Sequence, residues 1–213
     1  LNSGCASTIV DRTRQTFNSS FPLALFRFPA YTDLILALLR VVIIFLPGGF
    51  VMRSARIKLK GRAYYHCTSR VVDRRMIMED VEREKFYNLM RGCETFAGVN
   101  IITYAILSNH FHILLEVPQR IEVDEAEIRQ RLPAIYDKSQ IAQMEAQWQR
   151  WREQGLERLV EADMERFRAR MYDLSEFMKT LKQRFSQWYN IREDRSGTLW
   201  EDRFTSVLIE PPN

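Results

Sequence analysis

His110 and His112 stand two residues apart inside an apolar run, Tyr104-Ala-Ile-Leu-Ser-Asn-His110-Phe111-His112-Ile-Leu-Leu-Glu116-Val-Pro118. Side chains alternate between the faces of a β-strand. The two imidazoles therefore share a face, and Phe111 and Ile113 point the other way. Two imidazoles fixed on one face of a strand suit a divalent metal ion, because imidazole is the commonest metal-ligating side chain. The chain has 3 histidines, His66 being the other, so most of its imidazole is gathered in this tripeptide. A bare H-x-H also occurs at strand edges with no ligand, and the motif needs context. Glu116 shares the face but lies four residues from His112, about 13 Å along the strand. It is not counted as a ligand.

The chain that must position these groups has 213 residues, 46% hydrophobic and 27% charged. That is a folded composition, enough for one domain or one domain with an appendage. The net charge of +4 is mildly basic and admits a nucleic-acid or other anionic partner. Cys5, Cys67 and Cys93 are odd in number and have no C-x-x-C spacing. They fit reduced thiols of a cytoplasmic protein and argue against a disulfide framework or a cysteine zinc site.

Residues 1–51 read differently from the rest. Turn-forming stretches such as Asn18-Ser-Ser-Phe-Pro22 precede an apolar run, Leu34 to Leu46, interrupted by Arg40 and closed by Pro47-Gly48-Gly49. The run is short of the roughly 20 residues that span a bilayer, and its place in the chain does not suit a signal peptide. No membrane association is expected from it. Gly48-Gly49 ahead of Met52 also suits a ribosome-binding site read through in frame, which makes 1–51 a non-native or upstream-translated extension and 52–213 the functional domain.

Arg53, Arg56, Lys58, Lys60 and Arg62 form a basic arm. Ala63 to Ser69 follows, a strand by its aromatic and Thr content, with Arg70 at its end. Such an arm suits a phosphate backbone, where each cation releases counterions on binding; it also suits a solvated surface. Glu79 to Phe96 has a helical apolar period, an acidic first turn and Gly98 as its stop. Val99 to Leu107 and His110 to Val117 make a hairpin about Ser108-Asn109. Residues 119–172 are polar, with helical stretches at 121–131 and 141–171, and read as a helical insertion whose Trp and Met residues pack. Asp173 to Ile191 is amphipathic, with Lys179, Lys182, Gln183, Arg184 and Gln187 on its polar face. Thr205 to Glu210 is a last strand. The order is βαββαβ: an α+β, ferredoxin-like antiparallel sheet with the insertion in the second crossover. Helices on one face leave the other free for a ligand.

Three blocks in this order carry a resemblance: Arg56-Ile-Lys-Leu-Lys-Gly61-Arg-Ala-Tyr-Tyr-His66-Cys-Thr-Ser-Arg70, Ser108-Asn-His-Phe-His112-Ile-Leu-Leu-Glu116, and Gly197-Thr-Leu-Trp200-Glu-Asp-Arg203-Phe204. From about Met52 to Glu210 the chain resembles the single-tyrosine HUH transposases, in particular the bacterial REP-associated tyrosine transposases of the IS200-like group. The resemblance implies a partner that is single-stranded or hairpin DNA, with His110 and His112 holding Mg²⁺ or Mn²⁺ and no small-molecule cofactor. The metal would polarise the scissile phosphate. A helix-borne tyrosine would attack it, conserving the bond energy as a phosphotyrosine.

In that family the tyrosine lies beyond the last strand, past the position where this sequence stops at Asn213. Tyr189 is a fallback on a different helix, more in keeping with packing or a DNA contact. The expectation is a C-terminally truncated domain, inactive in cleavage as it stands. Arg53, Arg56, Lys58, Lys60, Arg62, Arg70, Lys182, Arg184 and Arg203 are the expected DNA-binding cations, in a monomer or homodimer. A non-catalytic hairpin-DNA-binding protein is the alternative, and a metal-binding ferredoxin-like domain without nucleic acid is a third class.

Overall fold

A computed structural model of the chain describes Leu59 and residues 61–209. The basic residues Arg53, Arg56, Lys58 and Lys60, and the apolar run from Leu34 to Leu46, lie outside the described residues. So does the proposed boundary at residue 52.

The sheet is built from β1 (Ala63–Arg70), β2 (Asn100–Ile106), β3 (His110–Val117) and β4 (Thr205–Ile209). Its order is β2-β3-β1-β4, and every pairing is antiparallel. With helix α1 (Asp80–Ala97) between β1 and β2 and helix α5 (Leu174–Arg192) ahead of β4, this is the ferredoxin-like βαββαβ arrangement expected of the sequence.

Alternation shapes β1 and β3, although His66 and Leu114 on the reverse face are buried as well. On β1, Ala63, Tyr65, Cys67 and Ser69 are buried toward the helices; on β3, Phe111, Ile113, Leu115 and Val117 are. Phe86 of α1 sits at the centre of this core, its ring 4.6 Å from Phe111 and 5.2 Å from Phe185 of α5, with Trp200 close to all three. Helix α1 starts with a capping box made by Glu79 and Glu82 and ends at Gly98, whose φ of 68° is the left-handed cap that glycine adopts at least cost. Glu82 is buried and paired with Arg192, which joins the start of α1 to the end of α5.

The insertion differs from the expectation of one long helix over 141–171. It holds α2 (Glu125–Arg131), α3 (Lys138–Glu153) and α4 (Glu157–Arg168). Helix α3 begins earlier than its apolar period indicates because Asp137 caps it, accepting from the Gln140 backbone N–H. The break comes at Gly155, with φ 69°, where the chain turns so that α4 returns along α3. Trp148 is then fully buried and donates to Asp163 at 2.8 Å. These tryptophan and methionine positions are packing residues, as read. Among the described residues no helix is long and apolar enough to cross a membrane.

The insertion leans on α1 through Gly92, where a β-carbon would collide with the backbone oxygen of Ala134. Replacing a helical glycine with alanine ordinarily gains about 1 kcal/mol of helix propensity. Here the collision reverses the sign. Gly92→Ala is expected to destabilise the fold by about 1–3 kcal/mol, measured by urea denaturation. A variant as stable as the parent or more so would mean that the insertion does not seat on α1.

Candidate functional site

The face of the sheet away from the helices carries the three histidines. Register places Thr68 opposite His112 and Arg70 opposite His110. His66 is two residues along β1 from Thr68, on the same face and diagonal to His112, a separation across which side chains still meet. The structure joins them: His66 Nε2 is 2.9 Å from His112 Nδ1, with the rings nearly parallel at 9°. The ring of His110 lies 5.2 Å from that of His112. Its Nδ1 is 2.7 Å from Asn109 Oδ1, and the Asn109 amide nitrogen donates to the Arg74 carbonyl at 3.0 Å. All three histidines of the chain thus form one cluster, with Arg70 exposed at its side.

The electrostatics keep these imidazoles neutral. Burial lowers His66 below its ordinary 6.5. Burial, then the Arg70 guanidinium, lowers His110. His112 is pushed down to about 4, by burial first, then by His66, His110 and Arg70. Neutral imidazole is the form that ligates a metal. The Nδ1 atoms of His110 and His112 are engaged by the protein, which leaves Nε2 on each as the available donor. Among the described residues no carboxylate completes the set. Glu116 is held by Arg62 at 2.7 Å and by the Asn100 amide at 3.1 Å. Among the described residues no group of three or more His, Cys, Asp or Glu is disposed to hold a metal ion. The donor set fits a cation that takes two imidazoles from the protein and the rest of its shell from water or a bound ligand.

The other residues singled out in the sequence are scattered. Arg62 is spent on Glu116 at the far end of β1 and β3. Lys182 donates to the Asp202 carbonyl at 2.8 Å and lies over the Trp200 ring. Arg184 lies over the Tyr136 ring of the insertion. Arg203 is exposed on the loop before β4. Tyr189 belongs to the helical layer, stacked on Phe185 with Arg195 over its ring, on the other side of the sheet from the histidines; burial raises its hydroxyl above 10.0. His66 is the functional candidate that motif reading missed. Its signal was present as a third histidine at an even position of β1, but its contact with His112 is set by register across 46 residues.

Residues 60–144, from β1 through the hairpin into α3, match the family model described as transposase IS200-like. Among solved structures it is similar to a REP-associated tyrosine transposase bound to a REP hairpin, at 13% identity and a TM-score of 0.45, covering 76% of this chain. The chain spans 64% of that protein's length. It is also similar to a protein of Deinococcus radiodurans R1 assigned as a transposase, at 10% identity and a TM-score of 0.37, covering 75% of this chain and 87% of that one. No curated protein matches the chain.

The depressed imidazoles give the metal-free protein a defined response to acid. Each folded-state value lies below the ordinary 6.5, so protonation favours the unfolded chain. The stability these groups contribute is complete above about pH 6.5 and falls away toward pH 4, where His112 itself titrates. In a nitrogen NMR titration His112 is expected to show a midpoint near 4, with denaturation midpoints lower at pH 4.5 than at 7.5. A His112 midpoint near 6.5 would contradict the burial described here.

Proposed function

We propose that the histidine-bearing face of the sheet binds single-stranded or hairpin DNA and that His110 and His112 hold a divalent cation, Mg²⁺ or Mn²⁺, against one phosphate of it. The observation that carries this reading is the gathering of His66, His110, His112 and Arg70 on the face of the sheet away from the helices. The match to the IS200-like transposases supports it. The reaction in this reading is cleavage and rejoining of a DNA strand through a phosphotyrosine. The cation, when bound, would withdraw electron density from the scissile phosphate. His110 and His112 present neutral ε nitrogens to it, and Arg70 offers a fixed positive charge to the adjoining backbone. The sheet supplies rigidity, so these groups are positioned before DNA arrives.

A second reading keeps the DNA and drops the chemistry. It is favoured by the placement of Tyr189 in the helical layer, behind the sheet from the histidines. On this reading the domain is a hairpin-binding protein and Arg70 acts as a phosphate contact alone.

Fluorescence anisotropy with a hairpin oligonucleotide at rising salt tests the shared part. Binding is expected to weaken linearly on a log–log plot. Arg70→Ala is expected to weaken it across sequences and to reduce the slope by about 1. Salt-independent binding, or none, would overturn both readings in favour of a domain without nucleic acid. Incubation with Mn²⁺ and the hairpin then separates the two. A protein–DNA adduct surviving denaturing electrophoresis marks the strand transferase, and binding without an adduct marks the non-catalytic form.

A further inference from the structure

The donor atoms of the site depend on which nitrogen of each ring carries its proton. Neutral imidazole has one N–H and one lone pair, so a ring that ligates through Nε2 must be protonated on Nδ1, and that N–H needs an acceptor. For His110 the direction is fixed. The Asn109 amide nitrogen is committed to the Arg74 carbonyl, so the Asn109 atom facing His110 Nδ1 is the oxygen, which only accepts. His110 is therefore the donor, and its Nε2 is free. For His112 the partner is another imidazole, His66, through its Nε2. If His66 donates, His112 carries its proton on Nε2 and has no lone pair to offer there. If His112 donates, both histidines of the tripeptide present Nε2 lone pairs from the same face.

We propose that His66 is a positioning residue: it accepts the Nδ1 proton of His112 and so holds His112 in the tautomer that ligates through Nε2. The inference rests on the reading of His110 and His112 as cation ligands. His66 suits the role because it stands on β1 rather than on the hairpin, is 5% exposed, and is pinned between two paired strands. It keeps the ring plane of His112 as well as its proton, since the two rings lie within 9° of parallel. Partners of this kind orient a ligating histidine through the nitrogen the metal does not use. His66 is not a third ligand in this arrangement. Its Nε2 faces Nδ1 of His112, and an ion on the Nε2 of His112 lies off the opposite edge of that ring.

The test uses the full chain with nitrogen-15-labelled histidine, in the parent, His66→Leu and His66→Gln. Long-range proton–nitrogen spectra of the metal-free protein report the tautomer of His112, and calorimetry with Mn²⁺ alone reports affinity. The parent is expected to carry the His112 proton on Nδ1, against the Nε2–H preference of a free histidine side chain. His66→Leu is expected to lose that preference and to bind Mn²⁺ roughly 10- to 100-fold more weakly. His66→Gln keeps an amide oxygen that accepts, and is expected to retain the tautomer and most of the affinity. If His66→Leu fails to fold by circular dichroism, His66→Gln decides: a His112 proton moved to Nε2 overturns the proposal.

An Nε2–H tautomer in the parent, or unchanged Mn²⁺ affinity in folded His66→Leu, overturns it too. Equal loss of affinity in both variants with the tautomer unmoved also overturns it, in favour of His66 as a ligand. A parent that takes up no Mn²⁺ overturns the cation reading and this inference with it. Parent binding that survives His66→Leu overturns this inference alone.

Discussion

The whole arrangement hangs on the register of β3 between β2 and β1. One strand serves two purposes: Phe111, Ile113 and Leu115 are fully buried against the helices, and His110 and His112 are carried on the reverse face. Because the side-chain period is two, a slip of one residue would drive the imidazoles into the core and the phenylalanine out of it. Phe111 prevents the slip. It is wedged against Phe86 and Trp200, and burial of one such ring contributes roughly 1.5–3 kcal/mol. The hairpin end is fixed as well, by the Leu107 N–H donating to the His110 carbonyl and the Val71 N–H donating to the Asn109 carbonyl. The core side of the strand thereby sets the geometry of its chemical side.

The Gly197–Phe204 block has a place in this scheme that its composition conceals. Trp-Glu-Asp-Arg reads as charged and ready for a ligand. In the structure its most consequential parts are apolar or backbone. Leu199 and Trp200 are buried, the Trp200 indole donates to the Lys182 carbonyl at 3.1 Å, and Thr198 folds back onto the Trp200 carbonyl. The Leu199 carbonyl accepts from Val72, and the Glu201 N–H donates to the Arg70 carbonyl. The block is a latch that fastens the end of β1, where Arg70 faces His110. A tryptophan locked to α5 thus helps hold the strand end that carries Arg70 beside the imidazoles.

Those same particulars show why some of this was legible from sequence and some was not. The strands and α1 could be read because alternation and the three- and four-residue period are local signals, and the βαββαβ order followed from counting them. The insertion could not be read in detail. Its helices are polar on most sides, so their limits are set by Asp137, an N-cap, and Gly155, a positive-φ turn, rather than by apolar period. Lys182 and Arg184 illustrate a different limit. Helical spacing put them on a polar face, but the groups that occupy them, Asp202 with Trp200 and Tyr136, come from other elements. His66 is the sharpest case. Its residue type and strand were visible, and only the antiparallel register shows that it meets His112.

The charge at this face carries a further consequence. Burial first, and then the Arg70 guanidinium, lower the pKa values of His110 and His112, because both disfavour added positive charge. A divalent cation on His110 and His112 meets the same field as a proton does, without the negative ligands that usually offset it. Two neutral imidazoles beside a guanidinium are a weak site for a cation alone. A phosphodiester changes the balance, since its oxygens bring the missing negative charge to the cation and to Arg70 together. On the proposed reading, cation and strand therefore bind with positive coupling, each raising the affinity of the other by the same factor. On that reading the site takes up the cation measurably by itself and more tightly with a strand bound, which concentrates its Lewis acidity on the bound strand.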